Sequence, residues 1–313
     1  MRAAAVAFVL LLAACGGELE SGSLLERPRV LGVRVEVDGA PERAAPAPGE
    51  TIALRWLVAS PDDVAWTAAM SVCVAAPSQL GFAACAGEPF ATGVTMGPTL
   101  EPTVSMTLPG PEAFVGTPGD LLVLGIFCAG GVPTMEGCSA ESADSEIVTF
   151  SFPADLGEQP PNLHPSIVDE TFSYDDTLWS APPTDLPSSN CAAQADEPGL
   201  PHVRWRAEDD EPRIGITTKV EDRDAYVELV FGETLMMVDS REELTIAHIA
   251  SAGRIARLET AIFDDASLDV DVPWRHPEQA EIPADGLTVE FIFVMRDGRG
   301  GMDWTHRALC LLP

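Results

Sequence analysis

Lysine is almost missing from this chain: Lys219 is the one lysine among 18 basic residues, and no Lys or Arg occurs between Arg55 and Arg204. Acidic residues number 49, so the formal net charge is −31. A surface of this sign repels nucleic-acid phosphates and anionic lipid headgroups. That excludes nucleic-acid partners and leaves cations, Ca²⁺ or basic protein surfaces. The field reaches only about 8 Å at physiological salt, so solubility and colloidal repulsion are its ordinary consequence. Aromatic residues are scarce, at 6%. No apolar run approaches the roughly 20 residues that a membrane-spanning helix requires. The run Leu121–Phe127 is far too short.

Catalytic signatures are missing as well. There is no G-x-S-x-G elbow, no S-x-x-K with its companion motifs, and no cysteine in a local protease signature. The histidines His164, His202, His248, His276 and His306 are scattered, without H-E-x-x-H or another metal spacing. His248 lies in a strand-like run and reads as a packing residue. The carboxylates are too numerous to single out a pair for glycoside hydrolysis. The expectation is a protein without catalytic residues, metal or cofactor.

What is present begins with an address. Arg2 precedes an uninterrupted apolar run from Ala3 to Ala14, the length of a signal-peptide core and too short to span a bilayer. It ends Leu12-Ala13-Ala14-Cys15, which resembles the lipobox of bacterial lipoproteins: an aliphatic residue, two small residues, then the acylated cysteine. The resemblance implies cleavage before Cys15 and a membrane anchor on that residue. Each buried CH₂ contributes ~0.8 kcal/mol, and two or more acyl chains make release slow. Gly16, rather than Asp, follows the cysteine, which under enteric sorting rules resembles outer-membrane cargo.

Cys73, Cys85, Cys128, Cys138, Cys191 and Cys310 then remain. An even number in an exported chain reads as disulfides. The favoured scheme is Cys73–Cys85, Cys128–Cys138 and Cys191–Cys310. Its first two bridges close loops of roughly a dozen residues, each contributing about 3 kcal/mol by loop entropy. The rival is Cys73–Cys128 across a sandwich. No C-x-x-C occurs, so the spacing does not fit a zinc site.

From Arg29 the pattern has period two, with Leu31, Val33, Val35 and Val37 on one face and Arg34 and Glu36 on the other. Ile52, Leu54, Trp56 and Val58 alternate next, and strand-like runs follow at 66–75, 102–108, 120–129 and 146–152. Residues 153–165 contain four prolines and no apolar periodicity, which reads as a linker. In the second half, strand candidates lie at 201–206, 213–220, 225–231, 243–250, 253–263, 287–296 and 304–312, with Ala252-Gly253 as a hairpin turn. Leu287, Val289, Phe291, Phe293 and Met295 form the cleanest inward face, while Ile292 and Val294 are apolar on the other. That strand is expected mid-sheet and covered on both sides. Short alternating strands with frequent turns predict an all-β chain of two sandwiches. The division is 1–14 signal peptide, 15–27 tether, 28–152 first domain, 153–165 linker and 166–313 second domain.

Three stretches invite a functional reading. Asp297-Gly298-Arg299-Gly300-Gly301, with Arg296 and Arg307 nearby, is a Gly-rich basic spot able to cradle an anion on backbone N–H groups, or a plain turn. Asp264, Asp265, Asp269 and Asp271, or Asp222 with Asp224, are potential Ca²⁺ ligands, though the ion needs about six to eight oxygens. Of Trp56, Trp66, Trp179, Trp205, Trp274 and Trp304, Trp56 and Trp205 sit in strand-like runs and read as core, and Trp274, between Pro273 and Arg275, is the better candidate for an exposed aromatic that could stack on a sugar. The opening Arg29-Val-Leu-Gly-Val-Arg with Pro48-Gly-Glu-Thr resembles bacterial immunoglobulin-like domains. Val294-Met-Arg-Asp-Gly-Arg-Gly-Gly-Met-Asp-Trp resembles the end of two-domain lipoproteins of GC-rich Gram-negative bacteria. Together they imply tandem immunoglobulin-like sandwiches without an activity to assign. The expected function is a membrane-anchored, non-enzymatic binding or scaffold module of the envelope, with an envelope protein or polysaccharide as partner. The alternative is a Ca²⁺-dependent carbohydrate binder or hydrolase using the second domain.

Overall fold

The computed structural model describes residues 22–61, 66–76, 84–97, 101–117, 119–134, 137–142, 144–157, 161–168, 171–187, 190–207, 210–231 and 235–313. Cys15 and the signal segment 1–14 lie outside the described residues. The protein is all-β: among the described residues there are strands and short 3-10 turns but no α-helix.

In the first half the strands are β1 (Arg29–Val37), β2 (Thr51–Ala59), β3 (Trp66–Val74), β4 (Ala91–Gly97), β5 (Thr103–Thr107), β6 (Asp120–Ala129), β7 (Pro133–Thr134), β8 (Gly137–Cys138) and β9 (Asp144–Pro153). The antiparallel sheets β1-β2-β5 and β4-β3-β6-β9 face each other. Alternation decides the faces: Val33, Val35, Ile52, Leu54 and Trp56 meet Trp66, Met70, Val123 and Phe127 in one core. Trp56 packs edge-on to Phe127 at 4.9 Å. β4 carries no strand signal of its own in the sequence and forms by pairing along β3.

The second half contributes β10 (Phe172–Tyr174), β11 (Thr177–Leu178), β12 (His202–Arg204), β13 (Arg213–Thr217), β14 (Ala225–Phe231), β15 (Leu235–Arg241), β16 (Leu244–Ala250), β17 (Arg254–Ile255), β18 (Glu259–Ile262), β19 (Asp269–Arg275), β20 (Leu287–Arg296) and β21 (Met302–Leu312). Sheet β11-β10-β13-β19-β17 packs on sheet β12-β21-β20-β16-β18 around Trp179, Trp274, Phe172, Phe291 and Phe293. β14 and β15 form a separate two-stranded hairpin. Two expectations fail around Gly253. The run 253–263 splits into β17 and β18, and Ala252-Gly253 is not a hairpin turn but a crossover from β16 to the opposite sheet, where β17 pairs with β19. Gly253 takes φ +73, and a Cβ there would lie 2.5 Å from the Arg275 carbonyl oxygen, so only glycine fits.

β20 is central in its sheet and covered on both faces, as its pattern requires. Val289, Phe291, Phe293 and Met295 enter the second core. Ile292 and Val294 instead join Ala247, Ile249, Met302 and Trp304 against Leu25, Leu57 and Ala59. The cover is therefore the first half itself: the β1-β2-β5 sheet lies on the outer face of β16-β20-β21. Polar contacts rim this seam. Arg34 Nη1 meets Asp303 Oδ1 at 2.7 Å, the Arg55 guanidinium lies 4.6 Å over the Trp304 ring, and Trp304 Nε1 donates to Glu101 Oε1 at 2.8 Å.

The described residues 22–27 of the tether and 161–165 of the linker pack at the same seam. Leu24 bridges Ala250, and Leu25 N donates to the Ala250 carbonyl at 2.9 Å, because this stretch carries two leucines that the seam buries or half-buries. His164 spans the halves: it accepts from Met302 N at Nδ1, 2.9 Å, and its Nε2 lies 2.6 Å from the Val35 carbonyl oxygen. With Nδ1 accepting, Nε2 is the protonated nitrogen of a neutral ring. Burial and the neighbouring Arg34 hold its pKa down at about 4. The bridges are Cys73–Cys85, Cys128–Cys138 and Cys191–Cys310, the nearest-neighbour scheme; the Cys73–Cys128 rival is not formed.

Candidate functional site

The Gly-rich loop after β20 does cradle an anion, and that anion is its own first residue. Asp297 Oδ1 accepts from Arg299 N at 2.7 Å and Gly301 N at 2.8 Å. Its Oδ2 accepts from Asn162 Nδ2 at 2.8 Å. A Cβ on Gly301 would fall 1.9 Å from Asp297 Oδ2, so glycine is what lets the carboxylate in. The external-anion reading is thereby corrected, because those N–H groups are already used. The basic spot is dispersed too. Arg296 Nη2 donates to the Leu31 carbonyl at 2.6 Å. Arg299 pairs with Glu242 at 2.8 Å and lies over the Tyr226 ring. Arg307 is buried, 4.2 Å over the Phe172 ring, and donates to the Trp179 carbonyl.

Glu242 is the member of this cluster that sequence reasoning missed. Its side chain is buried, and its Oε2 accepts from Asp224 N at 3.1 Å. Burial, with the Asp297 charge nearby, raises its pKa to about 7 even though Arg299 opposes the shift. Burial likewise raises Asp297, against the hydrogen bonds it accepts. The network ties the linker, the hairpin base and the β20–β21 loop together, since Leu163 N donates to Asp224 Oδ2 at 3.1 Å. Nothing local in the sequence links Asn162, Glu242 and Asp297; only the fold does.

The acidic set does not converge. Asp265 pairs with Arg223 and Arg241, Asp271 pairs with Arg213 at 2.5 Å, Asp269 accepts from the Thr217 hydroxyl, and Asp264 accepts from Ala266 N. Asp222 accepts from Lys219 N and Ser166 N. Among the described residues no group of three or more His, Cys, Asp or Glu is placed to hold a metal ion. Trp274 is fully buried, with Nε1 donating to the Ala252 carbonyl at 3.1 Å, which removes the candidate for a surface aromatic. Its strand alternates Val270, Val272 and Trp274 inward and Asp269, Asp271 outward, so these two acids are the solvent face of a core strand. Trp56, Trp66, Trp179 and Trp304 are also buried, and Trp205 is partly so. His248 is buried in β16, with Nδ1 3.1 Å from the Arg257 carbonyl oxygen.

One concave feature gathers recognition groups. On the flank of the second sandwich, the end strands of its two sheets, β11 and β12, border a cleft of about 290 Å³. Tyr174 and Trp179 are its buried floor. Asp175, Thr177 and Leu178 form one lip, and His202, Arg204 and Arg206 the other. The lip turn has Asp175 and Asp176 both at positive φ, the geometry of a two-residue hairpin turn. Arg206 crosses to Asp175 at 2.5 Å, and its backbone N donates to His276 Nδ1 at 2.9 Å. The other His276 nitrogen meets the Tyr174 hydroxyl at 3.2 Å. Burial lowers His276 to about 4 and raises Tyr174 far above its ordinary value, so both are neutral groups that shape the floor. Arg204 is exposed and has no side-chain partner among the described residues; His202 Nε2 is buried without one. Trp205 N donates to the Leu312 carbonyl and Cys310 N to the Pro201 carbonyl, so by strand alternation the Arg204 backbone groups turn outward. A free cation and an open strand edge are suited to holding a ligand that carries acceptors.

No protein-family model matches the chain, and no curated protein matches it in sequence.

Proposed function

We propose that this chain is a lipid-anchored protein of the cell envelope, held through Cys15 at the outer membrane, and that it works as a non-enzymatic binding or scaffold module through the flank cleft of its second half. The apolar run ending Leu12-Ala13-Ala14-Cys15 supports the anchor. Three cystines fit an oxidising compartment outside the cytoplasm. The observation that carries the binding role is the cleft itself. The loop, aspartate and tryptophan candidates are taken up by structural partners, whereas Arg204 and the β12 edge keep their capacity free.

The partner chemistry that fits is an acidic group on an envelope protein or polysaccharide, attracted to Arg204 on a chain whose surface otherwise repels anions. Two measurements test this. Cys15→Ser should move the protein from the membrane pellet to the soluble fraction with an unchanged melting temperature; a variant that stays in the pellet rejects the anchor. The purified full chain should bind an acidic peptide or an acidic oligosaccharide by calorimetry, and Arg204→Glu should weaken that binding at least about tenfold by charge reversal. Turnover of peptide, ester or glycosidic substrates by the pure protein would reject the non-enzymatic reading.

A further inference from the structure

The β14–β15 hairpin is the apolar feature that the fold leaves unused. Its strands pair over their whole length, Ala225 with Arg241 through Phe231 with Leu235, yet they pair with no other strand among the described residues. Met236, Met237 and Val238 are 51%, 74% and 41% exposed. Three consecutive strand residues point to alternate faces, so both faces of β15 meet solvent. The hairpin is nonetheless firmly based. Arg241 Nη1 donates to the Val220 and Arg223 carbonyls at 3.2 and 3.0 Å. An edge strand with an exposed apolar run at Met236–Val238 is a template for another strand.

We infer that this edge is an interface with a second copy of the chain, formed by antiparallel pairing of β15 with β15 about a two-fold axis at Met237. The charges select this edge. A two-fold at Met237 sets Met236 opposite Val238 and Leu235 opposite Asp239, with no carboxylate facing another. Like charges directly opposite would be destabilising. A C₂ contact is also self-complementary and closes at two copies. The base of the hairpin adjoins Leu244 at one end of β16, while Leu24 bridges Ala250 at the other. That separation, about 20 Å along the strand, keeps the paired hairpins clear of the incoming N-terminal segment.

Self-association of this kind needs no anchor, so it is read on the full-length Cys15→Ser chain, and its failure leaves the anchored module standing. Sedimentation should show a monomer–dimer equilibrium in the micromolar range. Added salt should tighten it, because two bodies of like charge are screened. Met237→Glu, which sets two carboxylates face to face at the axis, should raise the Kd at least about tenfold without moving the melting temperature measured at concentrations below the wild-type Kd. In the same background Met237→Cys should cross-link to itself under mild oxidation with glutathione disulfide, and Met236→Cys, offset from the axis, should not. A monomer at all salt concentrations overturns the inference. So does a dimer indifferent to Met237→Glu, or equal cross-linking at both positions.

Discussion

Glu242 shows what a single buried carboxyl does to this molecule. Burial and the neighbouring Asp297 raise its pKa to about 7, so the folded chain holds this proton more tightly than the unfolded chain does. Above pH 7 the ionised group costs stability, and the cost is relieved as pH falls from about 7 toward its ordinary value near 4.5. His164, His248 and His276 act in the opposite sense. Burial lowers each to about 4, so their neutral forms support the fold above pH 6.5, and that support fades as pH falls below it. The two trends overlap in wild type, and Glu242→Gln separates them. Between pH 8 and pH 5 the wild-type unfolding free energy should rise relative to that of the variant by on the order of 2 kcal/mol, read from urea titrations at each pH. Parallel curves would mean that Glu242 titrates normally. The loop at 297–301 stands out in the sequence for its glycines. Its true anion and the distant Glu242 do not, because a contact between residues 57 positions apart leaves no local pattern.

At the scale of elements, periodicity works where one face is buried and the other wet. β1, β2, β5, β6, β9, β16, β20 and β21 fall where the alternation puts them. β19 alternates in the same way, but its outward Asp269 and Asp271 read as ligand candidates instead of a wet face, and the Leu-Met-Met-Val run that opens β15 carries no alternation. Gly253 read as a turn within a sheet, because sequence cannot tell a hairpin from a crossover. The cysteines were more legible, since short loops close readily. The three bridges nonetheless differ in reach. Cys191–Cys310 closes a separation of 119 residues against 12 for Cys73–Cys85. Loop entropy then gives about 5 and about 3 kcal/mol respectively. Gly286, at φ +89, lies against both sulfurs of the long bridge, where a Cβ would meet them at 2.7 and 2.9 Å. Replacing Cys191 and Cys310 together by alanine should therefore lower the urea midpoint more than replacing Cys73 and Cys85. A reversed order would show that loop length does not govern these bridges.

For the whole molecule, the decisive fact is that four sheets stack with a shared seam between the second and third. Tandem sandwiches were readable from the strand runs, and the apolar outer face of β20 showed that something covers it. That the cover is the first half was not readable, because Leu57, Ala59 and Trp304 look like ordinary strand residues until both halves are folded. A seam with an apolar centre and an Arg34–Asp303 rim, into which Leu25 and His164 also insert, couples the halves energetically. Unfolding either half exposes the seam face of the other. Calorimetry of the intact chain should accordingly give one cooperative transition. Trp304→Ala removes the indole that packs in the seam beneath Arg55, at a cost of about 3 kcal/mol or more. Combined with Arg34→Ala, it should divide the transition in two, with each half retaining its own core and cystines. Two transitions already present in the wild-type chain would mean that the halves are merely docked, and the mutations would then shift neither one relative to the other.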